Sequence, residues 1–362
     1  MSNSLLSLHI GSHHIHMAAC VLTQENGFKL LSSAKGVVQG VEPLNAGILS
    51  RSIAQVLKRV LRKGSIEKVV LSVSSSWINH DTVTTSIQKD HSRYQFTYQD
   101  QQQCIQKAKA LSDGVVMHAI PVSFQLNGHD VVSPIGAFGQ RLAVRTHLIS
   151  IKEHRLACLL DALNTLGLHL SALVCPSLSA SQVYASKEEL QDGIILVEVS
   201  SALTTFSVFQ YGVLQRLITV PIGGDKFTND LAVCLKYSFF EAEELKCGLG
   251  SLLSTQDPIV RDILFSRFKE WAYLSQEAIQ GLAMPLVIYG APTWMPGFFS
   301  LFEKQIWQPL RQGVLPVFRP QIAEPLAIPL GAVLYALSVK ALLYQPDLSI
   351  KKQIQDWVHH FF

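Results

Sequence analysis

Charge is scarce in this 362-residue chain: 16% of its residues are Asp, Glu, Lys or Arg, against 48% hydrophobic. That balance excludes an intrinsically disordered chain, which combines high charge with little apolar content. No long basic run is present and the formal net charge is only +3, so nucleic acid is not an expected partner. The six cysteines, Cys20, Cys104, Cys158, Cys175, Cys234 and Cys247, include no C-x-x-C pair. Several lie in apolar runs and read as buried thiols of a reducing compartment. No apolar run reaches the roughly 20 residues needed to cross a bilayer. Leu326 to Val339 comes nearest, but Pro329 interrupts it and Lys340 ends it, so it reads as a buried helix. The opening MSNSLLSLHIGSHH has neither the basic segment nor the apolar core of a signal peptide, which points to a cytoplasmic protein.

What is present is a chain long enough for two domains, with strands and helices in readable order. Residues 5–10, 15–22 and 28–38 read as three strands around turns at Gly11-Ser12 and Glu25-Asn26-Gly27. A helix from about Leu44 to Arg62 and a strand from Lys68 to Ser74 follow. A helix is expected near Gln99 to Leu111, with strand-like runs through 82–148. Then come a helix from Lys152 to Leu166, a strand from Leu168 to Val174 and a helix opening at Pro176, where proline suits the first turn. His9, His13, His14 and His16 crowd the first turn, and strand alternation puts His14 and His16 on one face. Without a cysteine or carboxylate beside them, they read as ordinary pocket and surface histidines, and no metal site is assigned.

The most specific stretch is Val220 to Gly250, VPIGGDKFTNDLAVCLKYSFFEAEELKCGLG. An apolar strand end meets the pair Gly223-Gly224, then an amphipathic run with Phe227, Leu231 and Leu235 at helical spacing. A charged helix follows and stops at Gly248 and Gly250. Backbone amides at such a turn make an anion site, and the same pattern also serves as a packing turn. Gly223, Gly224, Asp225, Thr228, Asn229, Asp230, Glu241, Ala242, Glu243, Leu245, Lys246 and Gly250 fall in register with a stretch of the bacterial cell-division protein FtsA, an actin-like ATPase. A second stretch, HAIPVSFQLNGHDVVSPIGAFGQRLAVRTHLIS, resembles that family's inserted 1C subdomain at Ile120, Pro121, Phe124, Gly128, Pro134, Gly136, Gly139, Arg141, Leu142 and His147. The insertion is shared with the pilus-assembly relative PilM.

The resemblance implies an α/β, actin-like (ribonuclease H-like) two-domain fold with an inserted 1C-type subdomain. Residues 1–86, completed by 326–344, would form subdomain 1A, and 87–151 the 1C-like interaction subdomain. The second actin-like domain would span 152–325, its 2B-like part at about 223–282, leaving 345–362 as linker and C-terminal helix. It also implies a nucleotide site for ATP with Mg²⁺, built by Gly11, Ser12, Glu198, Thr204, Gly223, Gly224, Glu243, Lys246 and Gly290. That site departs from the family pattern at each loop. His9 stands where the first loop has its aspartate, and Ser200, Ser201 and Ala202 replace three glycines. Glu198 replaces a second aspartate, and Gly290-Ala291-Pro292 replaces a glycine triplet. Histidine does not substitute for oxygen ligands around a hard cation, and a Cβ crowds the close approach of backbone to phosphate. Loss of hydrolysis is expected, with no catalytic residue assigned; Glu243 and Lys246 also read as an i,i+3 surface pair.

At the C-terminus Ile350, Ile354, Trp357, Val358, Phe361 and Phe362 form one apolar helical stripe, with Lys351, Lys352, Gln353 and Asp356 opposite. At 13 residues such a helix is about 20 Å long, suited to lie in a membrane interface or to dock on the body of the protein. The resemblance implies a membrane-tethering, filament-forming adaptor at the cytoplasmic face of the bacterial inner membrane. Its partners would be the membrane surface, other copies of itself, and an FtsZ-like protein or other divisome components. An active divergent ATPase and a PilM-like pilus or secretion component are the alternatives.

Overall fold

Strand β1 (Ser4–Ile10) has no exposed residue because both its faces are covered, whereas β3 (Phe28–Val37) alternates half-buried and exposed residues as an edge strand does. Between them runs β2 (His14–Leu22), antiparallel to both. Helix α1 (Ala46–Val60) is capped by the Asn45 side chain, which accepts from the Ile48 amide, and turns Leu49, Ile53, Val56 and Val60 inward. Strand β4 (Lys68–Val73) then pairs parallel to β1. The β-β-β-α-β order read from the sequence is thereby met. This computed structural model describes residues 4–23, 27–38, 44–61, 66–91, 93–249, 257–314 and 326–339. The chain divides into two units: Met1–Val183 with Val213–Arg216 and Ile322–Phe362, and Tyr184–Gly212 with Leu217–Gln321.

Within the first unit a second sheet is inserted. A 3-10 turn (Ser75–Trp77) leads into β5 (Ile78–Gln88), β6 (Tyr94–Gln95), α2 (Tyr98–Lys109), β7 (Val115–Leu126), β8 (His129–Val131), β9 (Phe138–Gly139) and β10 (Arg141–Ile151). The sheet order is β5-β10-β7-β8, with β6 and β9 as a separate pair. Thr97 and Asp100 close a capping box at the start of α2, and Asp100 also meets Lys89 at 2.6 Å. Ile87, Phe96, Cys104, Ile105, Leu142 and Val144 form the core under this helix. The sequence boundary at residue 87 is corrected here. Strand β5 pairs with β10 from Ile78 through Gln88, so the insertion begins at residue 78.

Helix α3 (Glu153–Asn164), β11 (His169–Val174) and α4 (Pro176–Tyr184) follow as expected in type. Their domain is a second correction. Strand β11 pairs parallel with β4, giving the order β11-β4-β1-β2-β3, so the first unit runs on to Val183 rather than ending at 151.

In the second unit α5 (Lys187–Asp192) precedes β12 (Ile194–Val199), β13 (Thr204–Gln210) and the latter half, from Leu217, of β14 (Val213–Val220). Helices α6 (Gly224–Leu235), α7 (Phe239–Gly248) and α8 (Pro258–Ala278) come next. Strand β15 (Leu286–Tyr289), a 3-10 turn (Ala291–Trp294), α9 (Phe298–Glu303) and β16 (Leu310–Gln312) complete it. The sheet order is β14-β13-β12-β15-β16. Trp271 on α8 is fully buried, with ring centroids 5.6 Å from Phe268, 4.7 Å from Phe298 and 4.6 Å from Phe302.

The chain then returns to the first unit as α10 (Ala327–Ser338), the apolar helix expected there. Gly331 lets it approach α4 closely: a Cβ at that position would stand 2.1 Å from the Ser179 carbonyl oxygen. Ser7 Oγ donates to the Pro329 carbonyl, and Tyr335 meets the ring of His118 edge-on at 5.6 Å. Among the described residues no helix is long and apolar enough to cross a membrane. The stripe Ile350, Ile354, Trp357, Val358, Phe361 and Phe362 lies outside them.

Candidate functional site

The expected site residues fall in both units. In the first, Gly11 and Ser12 form the β1–β2 hairpin. The Gly11 amide donates to the His14 carbonyl at 2.9 Å, and the Ser12 hydroxyl is 3.1 Å from that of Ser74. Ser74 is held in turn by Ser76 at 2.9 Å and donates its amide to Ile10. His9 and His16 stack with centroids 6.3 Å apart, and His14 lies 6.1 Å from His16. Burial pushes His9 down to about 4. Burial, with the neighbouring His9, Lys35 and His14, pushes His16 down to about 3. Both rings are therefore neutral at physiological pH. Among the described residues no group of three His, Cys, Asp or Glu stands where it could hold a metal.

In the second unit the structure brings Ser200, Ser201, Gly223, Gly224, Thr228, Glu243, Lys246 and Pro292 together. Helix α6 starts at Gly224, directly against the turn that joins β12 to β13. The Gly224 amide donates to the Ser200 carbonyl at 2.9 Å and the Asp225 amide to the Ser201 carbonyl at 2.8 Å. Two of the orphan donors of the helix start are thus satisfied by the chain itself. Gly223 is required by this contact: a Cβ there would lie 2.5 Å from both serine carbonyl oxygens. The free amides expected of an anion site at Gly224 are in use, and the packing-turn reading of the glycine pair holds for this half. Ser200 also ties its own turn, its hydroxyl donating to the Leu203 carbonyl at 2.7 Å while its amide does the same at 3.0 Å.

Lys246 is buried, not one half of a surface pair. Its Nζ lies 2.6 Å from Glu243 Oε2 and donates to Thr228 Oγ1 at 2.8 Å and to the Gly224 carbonyl at 3.2 Å. Thr228 in turn donates to Glu243. Burial by itself would raise the Glu243 carboxyl, but hydrogen bonds from Lys246 and Thr228 outweigh it and hold the group below the ordinary carboxylate range. Thr228 was matched in sequence yet not assigned to the site; its i+4 spacing from Gly224 on one helix face was the signal available.

Thr204 is fully buried, and its hydroxyl proton is committed: it donates to the Ile222 carbonyl at 2.8 Å, and the oxygen accepts from Trp271 Nε1 at 2.8 Å. Glu198 is buried on β12 between Thr205 of β13 and Tyr289 of β15 in the register of the sheet. Gly290 has φ of 108°, and a Cβ there would stand 2.2 Å from the Val199 carbonyl oxygen, so glycine is demanded by backbone packing. Behind it, Pro292 Cγ sits 2.9 Å from where a Cβ on Gly224 would be. The cysteines are all free; Cys20, Cys104 and Cys175 are buried, in keeping with the expectation that several would be, while Cys158 is half-buried and Cys234 and Cys247 are exposed.

A five-stranded β-β-β-α-β sheet, a second five-stranded sheet and an inserted four-stranded sheet define the class: an actin-like fold carrying an extra subdomain. Known structures agree. The chain is similar to a protein of the PilM-PilN type IV pilus biogenesis complex, with a TM-score of 0.70 at 15% identity, covering 93% of this chain and 98% of that one. It is also similar to MreB 5 of Spiroplasma citri bound to AMPPNP, with a TM-score of 0.54 at 10% identity, covering 94% and 98%. The particular likeness is in sequence. Residues 76–150 match the family described as "SHS2 domain inserted in FTSA", and residues 195–263 match "Cell division protein FtsA". The FtsA of Bacillus subtilis is 25% identical over 220 residues, 59% of this chain and 50% of that protein. The FtsA of Pseudomonas aeruginosa is 22% identical over 261 residues, 64% and 61%. The chain thus aligns with about half to three-fifths of the length of these relatives. It is an FtsA-like, actin-fold protein with an SHS2 insertion.

Proposed function

We propose that this chain is a non-enzymatic adaptor of the bacterial cell-division machinery, which self-associates and links division or envelope components to the cytoplasmic face of the inner membrane. The observation that carries the reading is the combination in one chain of an SHS2-type inserted sheet, an FtsA-like second unit and a helix start at Gly224 whose first two amides are already engaged. The residues present do not fit ATP with Mg²⁺. Thr204 has its hydroxyl proton committed to Ile222 and so has none to donate to a phosphate, His9 stands neutral where a cation's oxygen ligand is needed, and the Gly224 amide is committed to Ser200. The membrane would be reached through Ile350, Ile354, Trp357, Val358, Phe361 and Phe362, and the inserted sheet offers the surface for an FtsZ-like or other divisome partner.

The test is recovery of the tagged full chain from its native membranes together with whatever accompanies it. Division proteins support the reading, and pilus or secretion components in their place would favour a role like that of the PilM relative. Purified protein should show no Mg²⁺-dependent ATP turnover. Turnover abolished by Glu198→Ala would return the chain to the ATPases.

A further inference from the structure

An actin-like second unit whose loops have lost several of their glycines, at Ser200, Ser201, Ala202, Ala291 and Pro292, could be merely weakened towards nucleotide, or it could be closed. Two side chains absent from the glycine pattern decide between these. Ser200 stands in place of a glycine, and its hydroxyl bonds across to Leu203, fixing the β12–β13 turn against the start of α6. In that fixed turn the Ser200 and Ser201 carbonyls point at the helix start and take the amides of Gly224 and Asp225. Pro292, likewise in a glycine's place, puts its Cγ 2.9 Å from where a Cβ on Gly224 would stand. The Lys246 ammonium donates to the Gly224 carbonyl and to Thr228 and pairs with Glu243. Gly224 is thus enclosed by a turn, a ring and an ammonium, all from the same unit.

We infer that the second unit carries a self-filled half-site, in which the Ser200 turn and the Pro292 ring occupy the approach to Gly224, so that the chain holds its α6 end closed without ATP. This rests on the actin-like reading of the loops and goes further than loss of hydrolysis, because it excludes binding as well as turnover. An amide that already donates to a carbonyl has no donor left for a phosphate oxygen. Opening the turn to free it would leave two carbonyls and two amides of the helix start to be satisfied anew.

Two measurements on the full chain test it. Calorimetric titration with ATP and Mg²⁺ should give no saturable binding up to 1 mM nucleotide; saturation at or below that concentration overturns the inference. Hydrogen exchange of the segment 221–228 should be slow without nucleotide and change by less than about twofold when ATP and Mg²⁺ are added. Fast exchange that slows on adding ATP overturns it. Pro292→Gly, confirmed folded by circular dichroism, tests the ring: faster exchange at Gly224 is expected, and unchanged exchange removes Pro292 from the closure. None of these outcomes alters membrane or partner recovery, so failure of the closed half-site and failure of the adaptor reading are told apart.

Discussion

Replacing Thr204 by valine keeps the shape of a fully buried side chain and removes only its hydroxyl. The Ile222 carbonyl then loses its donor and Trp271 Nε1 its acceptor, at bonds that are both 2.8 Å long in the native protein. Each lost bond costs about 0.5–1.5 kcal/mol net, and a buried group left without a partner costs about 1–3 kcal/mol. The valine methyl recovers part of this by being easier to bury, so a loss of about 2–4 kcal/mol is expected. Urea denaturation followed by circular dichroism reads it as a lower midpoint at unchanged slope. The cycle with Trp271→Phe isolates the shared bond. Its coupling energy should be about 1 kcal/mol, since the double variant has no indole left to satisfy. A Thr204→Val protein within about 0.5 kcal/mol of wild type would refute the structural role given to this hydroxyl.

Other substitutions and conditions probe the remaining claims. Lys246→Met strips the ammonium from Glu243, Thr228 and Gly224 and should cost about 2–3 kcal/mol, somewhat less than for a fully buried pair because Glu243 is partly exposed. Adding Glu243→Gln should recover part of that loss, and a purely additive double variant would count against the network. Burial lowers His118 to about 3, and the Cys175 amide donates to its Nε2 at 3.1 Å, so the neutral ring is the folded form. His147, lowered to about 4 by burial first and by nearby His80 and Arg145, behaves alike. The unfolded chain takes up these protons first, near pH 6.5. Stability is therefore full above that pH and falls on acidification towards the folded values, by up to about 1.4 kcal/mol per pH unit per histidine. A melting temperature that stays flat between pH 7 and 4.5 would contradict this. Trp357→Glu should release the full chain from anionic liposomes without lowering its melting temperature, and binding should weaken with salt through Lys351 and Lys352, about 1 kcal/mol each. Earlier melting in that variant would mean that the tail packs on the body.

Local pattern carried much of this protein. The strands at residues 4–10, 14–22 and 28–37 and the helix before β4 were legible because apolar periodicity and turn residues are properties of neighbouring positions. The motif around Gly223 and Lys246 likewise needed only its own stretch of chain. Tertiary structure alone decided what those motif residues do. Thr204 meets Trp271 67 residues later, and the Gly224 amide meets the Ser200 carbonyl of a separate turn. No local pattern shows that a hydroxyl or an amide has already been taken by so distant a partner. The same holds for the boundaries. Whether β5 and β11 join one sheet or another depends on pairing with β10 and β4, and a strand's own residues record how buried it is, not which strand lies beside it.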